Sequence, residues 1–133
     1  MTSPPDQARA LLARARDDAY VVPHLRGEAD APLWVVGFHA QQAVEKALKS
    51  VFSNRGIEYP RTHNLVMLVE MLRRAQIGLP PDADGLGWLV PFGVLLRYED
   101  VEGTEPQPID PEGFDGLVAR TIDWAAEDLK KAD

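Results

Sequence analysis

A chain of 133 residues has the length of one domain, and a compact fold of this size buries roughly two thirds of its unfolded surface, so residues 1–133 predict a single domain with one core. The 45% hydrophobic and 26% charged composition, the lack of an apolar run near 18 residues and the lack of a secretion signal predict no membrane association and a cytoplasmic location. The absence of cysteine excludes disulfides and thiolate chemistry, and the net charge of -7 argues against non-specific coating of nucleic acid.

The first two predicted elements are amphipathic helices. Residues 6–22 carry apolar side chains at helical spacing, with Asp6 as the capping residue and Pro23 as the end of the helix. Residues 33–54 contain no strong helix breaker and follow a second capping candidate, Asp30. This second helix is the longest predicted element.

Two shorter helices are predicted next. Gly56 suits the position just beyond the second helix, and Thr62 is the predicted cap of a third helix. Residues 77–87 are rich in Gly, Pro and Asp and indicate a loop. Residues 86–98 again show helical spacing, in which Pro91 predicts either a kink or the true first turn of a fourth helix. The predicted apolar face of the third helix consists of Leu65, Leu68, Val69 and Leu72.

The last element is a fifth helix that begins at Asp110-Pro111, a cap followed by a proline in the first turn. Its predicted inward face consists of Phe114, Leu117, Val118, Thr121, Ile122, Ala125 and Leu129. No segment alternates with the period of a strand, and no internal repeat is present. The sequence therefore predicts an all-α, antiparallel up-and-down bundle of about five helices.

The polar residues of the second helix fall into two groups on a helical wheel. A narrow polar strip consists of His39, Gln42, Lys46 and Lys49. An otherwise apolar seam consists of Trp34, Phe38, Gln41, Glu45, Leu48 and Phe52. The wide apolar arc marks this helix as the central one. A Glu45 buried on the seam needs a cation or several hydrogen-bond donors, because an unpaired buried charge costs several kcal/mol.

The antiparallel topology predicts where that cation lies. The end of the second helix, the start of the third and the end of the fourth meet at one end of the bundle, which makes Arg97 the expected ion-pair partner of Glu45. The start of the third helix adds unpaired N–H groups that favour an anion. Residues 1–80 hold ten basic and eight acidic side chains, so an anion site belongs in this part of the chain. The predicted phosphate-binding residues are Gln42, Lys46, Lys49, Arg61, His63, Arg97 and Tyr98.

Each of these residues has a structural alternative. A Glu45–Arg97 pair is more typical of fixed helix register than of catalysis, and His63 is as typical of a backbone hydrogen bond as of a ligand contact. Spaced lysines are also typical of a solvated helix face. His24 and His39 receive no role, and the sequence holds no Gly-rich phosphate loop and no His-Glu metal motif. The expectation is therefore no metal and no cofactor.

Three blocks of the sequence resemble the HEPN family. They are Phe38-His39-Ala40-Gln41-Gln42-Ala43-Val44-Glu45-Lys46-Ala47-Leu48-Lys49, then Pro60-Arg61-Thr62-His63-Asn64-Leu65, then Arg97-Tyr98. The resemblance spans essentially the whole chain, in order. It implies a homodimeric helical bundle that often works beside a small nucleotidyltransferase, and many such pairs behave as toxin and antitoxin.

Some members of this family are metal-independent ribonucleases that carry an Arg followed, after four to six residues, by a His. Here Arg16 and His24 are separated by seven residues, as are Arg55 and His63, so the ribonuclease motif is not matched. The leading prediction is a protein without this catalytic motif that binds a nucleotide or RNA phosphate and docks a nucleotidyltransferase. The alternatives are a metal-independent endoribonuclease toxin and a bundle that serves only as a scaffold.

Overall fold

The computed structural model describes residues 3–95 and 111–131, and the regular elements within these ranges are all helical. They are α1 (Pro4–Arg26), α2 (Leu33–Asn54), α3 (Leu65–Arg74), a 3-10 helix (Ala83–Leu89), α4 (Val90–Leu95) and α5 (Pro111–Lys130). The predicted all-α helical bundle is confirmed for this part of the chain.

Helix α1 is longer than predicted at both ends. Ser3 is the N-cap, since its Oγ accepts from the backbone N–H of Asp6, and the prediction of Asp6 as the cap is wrong. Prolines at the first two helical positions lose no intrahelical hydrogen bond there, which favours the earlier start. Pro23 lies inside the helix rather than ending it, because only about one turn follows and few backbone bonds are at stake.

Helix α2 has the predicted limits and lies at the centre of the bundle. It contacts α1, α3, α4 and α5. Its N-cap is Pro32 with no side-chain capping bond, so the prediction of Asp30 as the cap is wrong. Gly56, just beyond the helix, has a φ of 69°, the left-handed conformation that glycine adopts without a steric penalty.

The segment between α2 and α4 differs from the prediction in two places. Asn64, not Thr62, caps α3, because its Oδ1 accepts from the N–H groups of Val66 and Met67. The predicted loop 77–87 gives way to the 3-10 helix at Ala83. Pro91 lies in the first turn of α4, the second of its two predicted roles. Residues 96–98 of the predicted fourth helix lie outside the described residues.

The core forms where α4 and α5 pack on α2. Gly37 provides the close approach, because an added Cβ would lie 2.5 Å from the Cγ atom of Phe92. The Phe92 ring contacts Phe114 of α5 edge to face, at 5.7 Å between centroids. Gly93 in turn lies against the Gln41 side chain. The predicted apolar face of α3 is fully buried, and the α5 face is buried or partly buried.

Candidate functional site

A buried carboxylate lies at the centre of the predicted site. Glu45 is only 4% exposed, as its position on the seam of α2 predicted. Its Oε1 accepts from Gln41 Nε2 at 2.8 Å and lies 2.8 Å from Nδ1 of His63. Its Oε2 accepts from Lys49 Nζ at 3.0 Å. The buried charge is therefore satisfied by a cation and two further polar groups.

Lys49 is the cation that the buried carboxylate holds. Its side chain is 13% exposed, and its ammonium lies 5.7 Å from the centre of the Tyr59 ring. Burial raises the pKa of Tyr59, so the phenol stays neutral beside the ammonium. Because Lys49 is committed to Glu45, it supplies little charge to an external ligand.

A second carboxylate repeats this arrangement between α1 and α2. Oδ1 of Asp18 in α1 lies 3.0 Å from Nδ1 of His39, and Oδ2 of Asp18 accepts a hydrogen bond from Nζ of Lys46 at 2.5 Å. The three side chains keep between 14% and 29% of their exposure. Each carboxylate thus pairs with one histidine and one lysine, which lowers the net charge that the polar strip presents.

A hydrogen-bond chain extends from the polar strip into the seam. Gln42 donates to Oε1 of Gln41, and Gln41 donates to both Glu45 and the carbonyl of His63. The chain ties the segment before α3 to the middle of α2. It also fixes His63, because Nδ1 carries the hydrogen that the carboxylate accepts, which leaves Nε2 on the opposite edge of a ring that is 44% exposed.

The start of α3 offers fewer free N–H groups than the sequence predicted. Asn64 Oδ1 takes the N–H groups of Val66 and Met67, and Thr62 Oγ1 accepts from the N–H of Asn64. Asn64 therefore occupies two of the N–H groups on which an anion site at this helix end would depend. Arg61, in the same segment, is exposed and has no ion-pair partner among the described residues.

The predicted phosphate-binding residues separate into three groups. Gln42, Lys49 and His63 are joined through Gln41 and Glu45, whereas Lys46 belongs to the Asp18 cluster. Arg61 precedes His63 by two residues and reaches solvent. Arg97 and Tyr98 lie outside the described residues, so the predicted Glu45–Arg97 pair stays a prediction.

Two acidic residues outside the predicted site are central to the packing. Asp18 follows Ala15 by three residues and precedes Val22 by four, so it interrupts the buried stripe of α1. Asp128 interrupts the stripe of α5 in the same way and binds Arg55, whose pKa it raises through this hydrogen bond. In the sequence, an acidic residue at a position of the helix where the apolar residues recur is the pattern that could have identified Asp18 and Asp128.

Further features bear on function. An open groove of about 410 Å³ lies between the end of α2 and α5, with Arg55, Arg120 and Trp124 in its wall, but its arginines are paired with Asp128 and Asp82. Among residues 3–95 and 111–131, no three His, Asp or Glu side chains are grouped to hold a metal ion. Within the same ranges, none of the helices combines the length and apolarity that crossing a bilayer requires.

Comparison with known proteins identifies the family. The family model described as HEPN domain matches residues 8–131, which include most of α1, the polar strip of α2, the segment before α3, and α5. No curated protein and no solved structure matches the chain. Because the family match covers nearly all of the sequence and agrees with the all-helical fold, the chain belongs to the HEPN domain family.

Proposed function

We propose that this HEPN protein binds the phosphate groups of a nucleotide or an RNA beside the Glu45 cluster. The observation that carries the proposal is the position of His63, which Glu45 holds by Nδ1 so that Nε2 stays on the free edge of a half-exposed ring. Arg61, exposed two residues away in the chain, adds positive charge to the same segment. A fixed imidazole beside a cation suits a phosphate oxygen.

The test compares two variants that lose the same charge. In the first, Arg61 becomes Ala, while Lys46 and Lys49 stay because their removal would leave Asp18 and Glu45 without an ammonium. In the control, Arg16 becomes Ala, since this exposed arginine lies on the side of α1 opposite Asp18. We expect the first variant alone to bind RNA more weakly and with a flatter salt dependence. Equal loss in both variants would refute a local site.

Self-association is the second part of the proposal. Large apolar side chains remain exposed within the described residues, which supports a contact with another chain. These side chains are Tyr20, Leu33, Trp34, Val66, Met67 and Trp88. Two further large aromatic residues contribute less to such a surface, because Phe92 is buried and Trp124 is partly buried. We expect a homodimer whose interface buries at least about 1,000 Å² in total. A strictly monomeric protein in light scattering at micromolar concentration would contradict this expectation.

The partner in this proposal is a small nucleotidyltransferase, in a two-gene module of the toxin and antitoxin kind. Membership of the HEPN family supports it. The expected observation is a neighbouring gene for a nucleotidyltransferase whose product copurifies with this chain. If no nucleotidyltransferase gene lies beside the gene for this chain, the partner proposal fails. The phosphate-site proposal does not depend on that outcome.

The enzymatic alternative is a metal-independent endoribonuclease, for which the free Nε2 of His63 would act in proton transfer. The test is RNA cleavage in the presence of EDTA by the wild-type protein, with His63→Ala and Arg97→Ala as variants. Cleavage that both variants lose would establish the enzyme. We expect binding without cleavage, because the Arg-to-His spacing of the family ribonucleases is not matched.

A further inference from the structure

One strip of α2 remains accessible along most of the helix. Beyond its first residue, the side chains that keep exposure along this strip are Trp34, Val35, Phe38, His39, Gln42, Lys46 and Lys49. Helix α1 closes one side of the strip, where Asp18 meets His39, and α4 closes the other, where Gly93 meets Gln41. We call these seven residues the open strip of α2.

The two halves of the open strip differ in chemistry. Its first half is apolar and largely aromatic: Trp34 is 46% exposed, Val35 is partly exposed, and Phe38, one turn after Trp34, is half-buried with its ring edge to face against His39 at 5.4 Å between centroids. Its second half carries Lys46. Between them Gln42 donates its amide to Gln41, which leaves its own carbonyl oxygen to accept a further hydrogen bond.

Arginines from neighbouring segments add charge to the second half. Arg14 precedes Asp18 by one turn of α1, so it lies on the side of α1 that faces Lys46. Arg61 lies beside His63, which contacts α2 through Glu45. Neither arginine has an ion-pair partner within residues 3–95 and 111–131. Since Asp18 balances Lys46, these two arginines are the excess positive charge.

We propose that the open strip of α2 binds a short single-stranded RNA segment, with bases stacked on Trp34 and Phe38 and phosphates at the Arg14, Lys46 and Arg61 end; this rests on the proposed function. Single-stranded nucleic acids combine flat apolar faces with a regular row of anions, which matches the two halves of the strip. Trp34 and Lys46 are about 18 Å apart along the helix axis, a longer span than one nucleotide covers. The ligand is therefore an oligonucleotide of several residues.

The experiment measures binding of fluorescein-labelled hexauridylate by anisotropy, with UMP as an unlabelled competitor. The variants are Trp34→Leu, which keeps apolar bulk but loses the aromatic face, and Trp34→Tyr, which keeps an aromatic face. Trp88→Leu is the matched control, because Trp88 is 47% exposed and lies on the 3-10 helix. We expect Trp34→Leu to weaken hexauridylate binding about 5- to 100-fold and to leave UMP competition unchanged. Trp34→Tyr and Trp88→Leu should remain near wild type.

The outcomes separate this proposal from the one on which it rests. If wild-type protein binds neither hexauridylate nor UMP, the proposed function fails. If it binds both but Trp34→Leu and Trp88→Leu behave alike, the phosphate site stands and the stacking proposal is refuted. If Trp34→Leu keeps RNA binding but loses self-association in light scattering, the aromatic half of the strip contacts a second copy of the chain, which also refutes the proposal.

Discussion

Replacing Glu45 with Ala tests the central ion pair of the fold. The substitution leaves the Lys49 ammonium 13% exposed and without its carboxylate, while Gln41 keeps a second acceptor in the carbonyl of His63 at 3.2 Å. Removing one partner of a buried pair costs about 3 to 5 kcal/mol. We expect a loss near the lower end, about 3 kcal/mol, because Lys49 keeps some solvent contact and His63 is half-exposed.

The measurement is urea unfolding monitored by circular dichroism, in which the dependence of the unfolding free energy on urea concentration (the slope) is compared between variants. Glu70→Ala is the control, because Glu70 is exposed and lies 3.7 to 3.8 Å from Arg74 and Arg73, so its loss should cost less than about 1 kcal/mol. Adding Lys49→Met to Glu45→Ala should recover part of the loss, since no unpaired ammonium then remains. A Glu45→Ala loss below about 1 kcal/mol at unchanged slope would show that the cluster does not stabilise the fold.

Three further predictions concern stability. Gly37→Ala should lower the free energy of unfolding in urea by about 1 to 3 kcal/mol, because its Cβ would collide with the Phe92 ring. Gly85→Ala is the control, since a Cβ at that position meets nothing within 4 Å and should change the free energy little. Equal losses in the two variants would contradict this packing. Ser3→Ala should lower the free energy of unfolding by about 1 kcal/mol through loss of the α1 cap, and an unchanged midpoint would place the cap elsewhere. Burial raises the pKa of Tyr59, so as the pH rises the phenol loses its proton first in the unfolded state. The free energy of unfolding should therefore fall above about pH 10. If a Tyr59→Phe variant shows the same loss of stability at alkaline pH, Tyr59 is not the cause.

The limits of α2 were predictable because a single local signal dominates. Its apolar residues keep helical spacing over 22 residues, and Gly56 adopts the left-handed conformation beyond its end. The start of α1 was not predicted correctly, because Ser3 and Asp6 are both good caps and the two prolines between them decide in favour of Ser3. Where two local signals compete within a few residues, composition alone does not choose between them.

The candidate site was predicted only in part, because some of its contacts are local in sequence and others are not. The burial of Glu45 followed from its position on the apolar seam, and an i,i+4 partner on the same helix, Lys49, was visible in the sequence. The assignment of Lys49 to a ligand-binding strip obscured that pair. The contacts of His63 with Glu45 and of Asp18 with His39 join segments 18 and 21 residues apart, and such distances are set by tertiary packing.

Burial determines which cations of this protein are available to an anion. A lysine in the middle of a packed helix needs a carboxylate nearby, so the positions that place Lys46 and Lys49 against α1 and the seam also neutralise them. Arginines at the edge of the packing meet no such requirement, and Arg14 and Arg61 keep their charge without an ion-pair partner in the described part of the chain. The arginines without a carboxylate partner in the described residues therefore belong to α1 and to the segment before α3, the two segments that contact α2 through Asp18 and His63. On the proposal above, the phosphates of an oligonucleotide would contact these two segments rather than the paired lysines of α2.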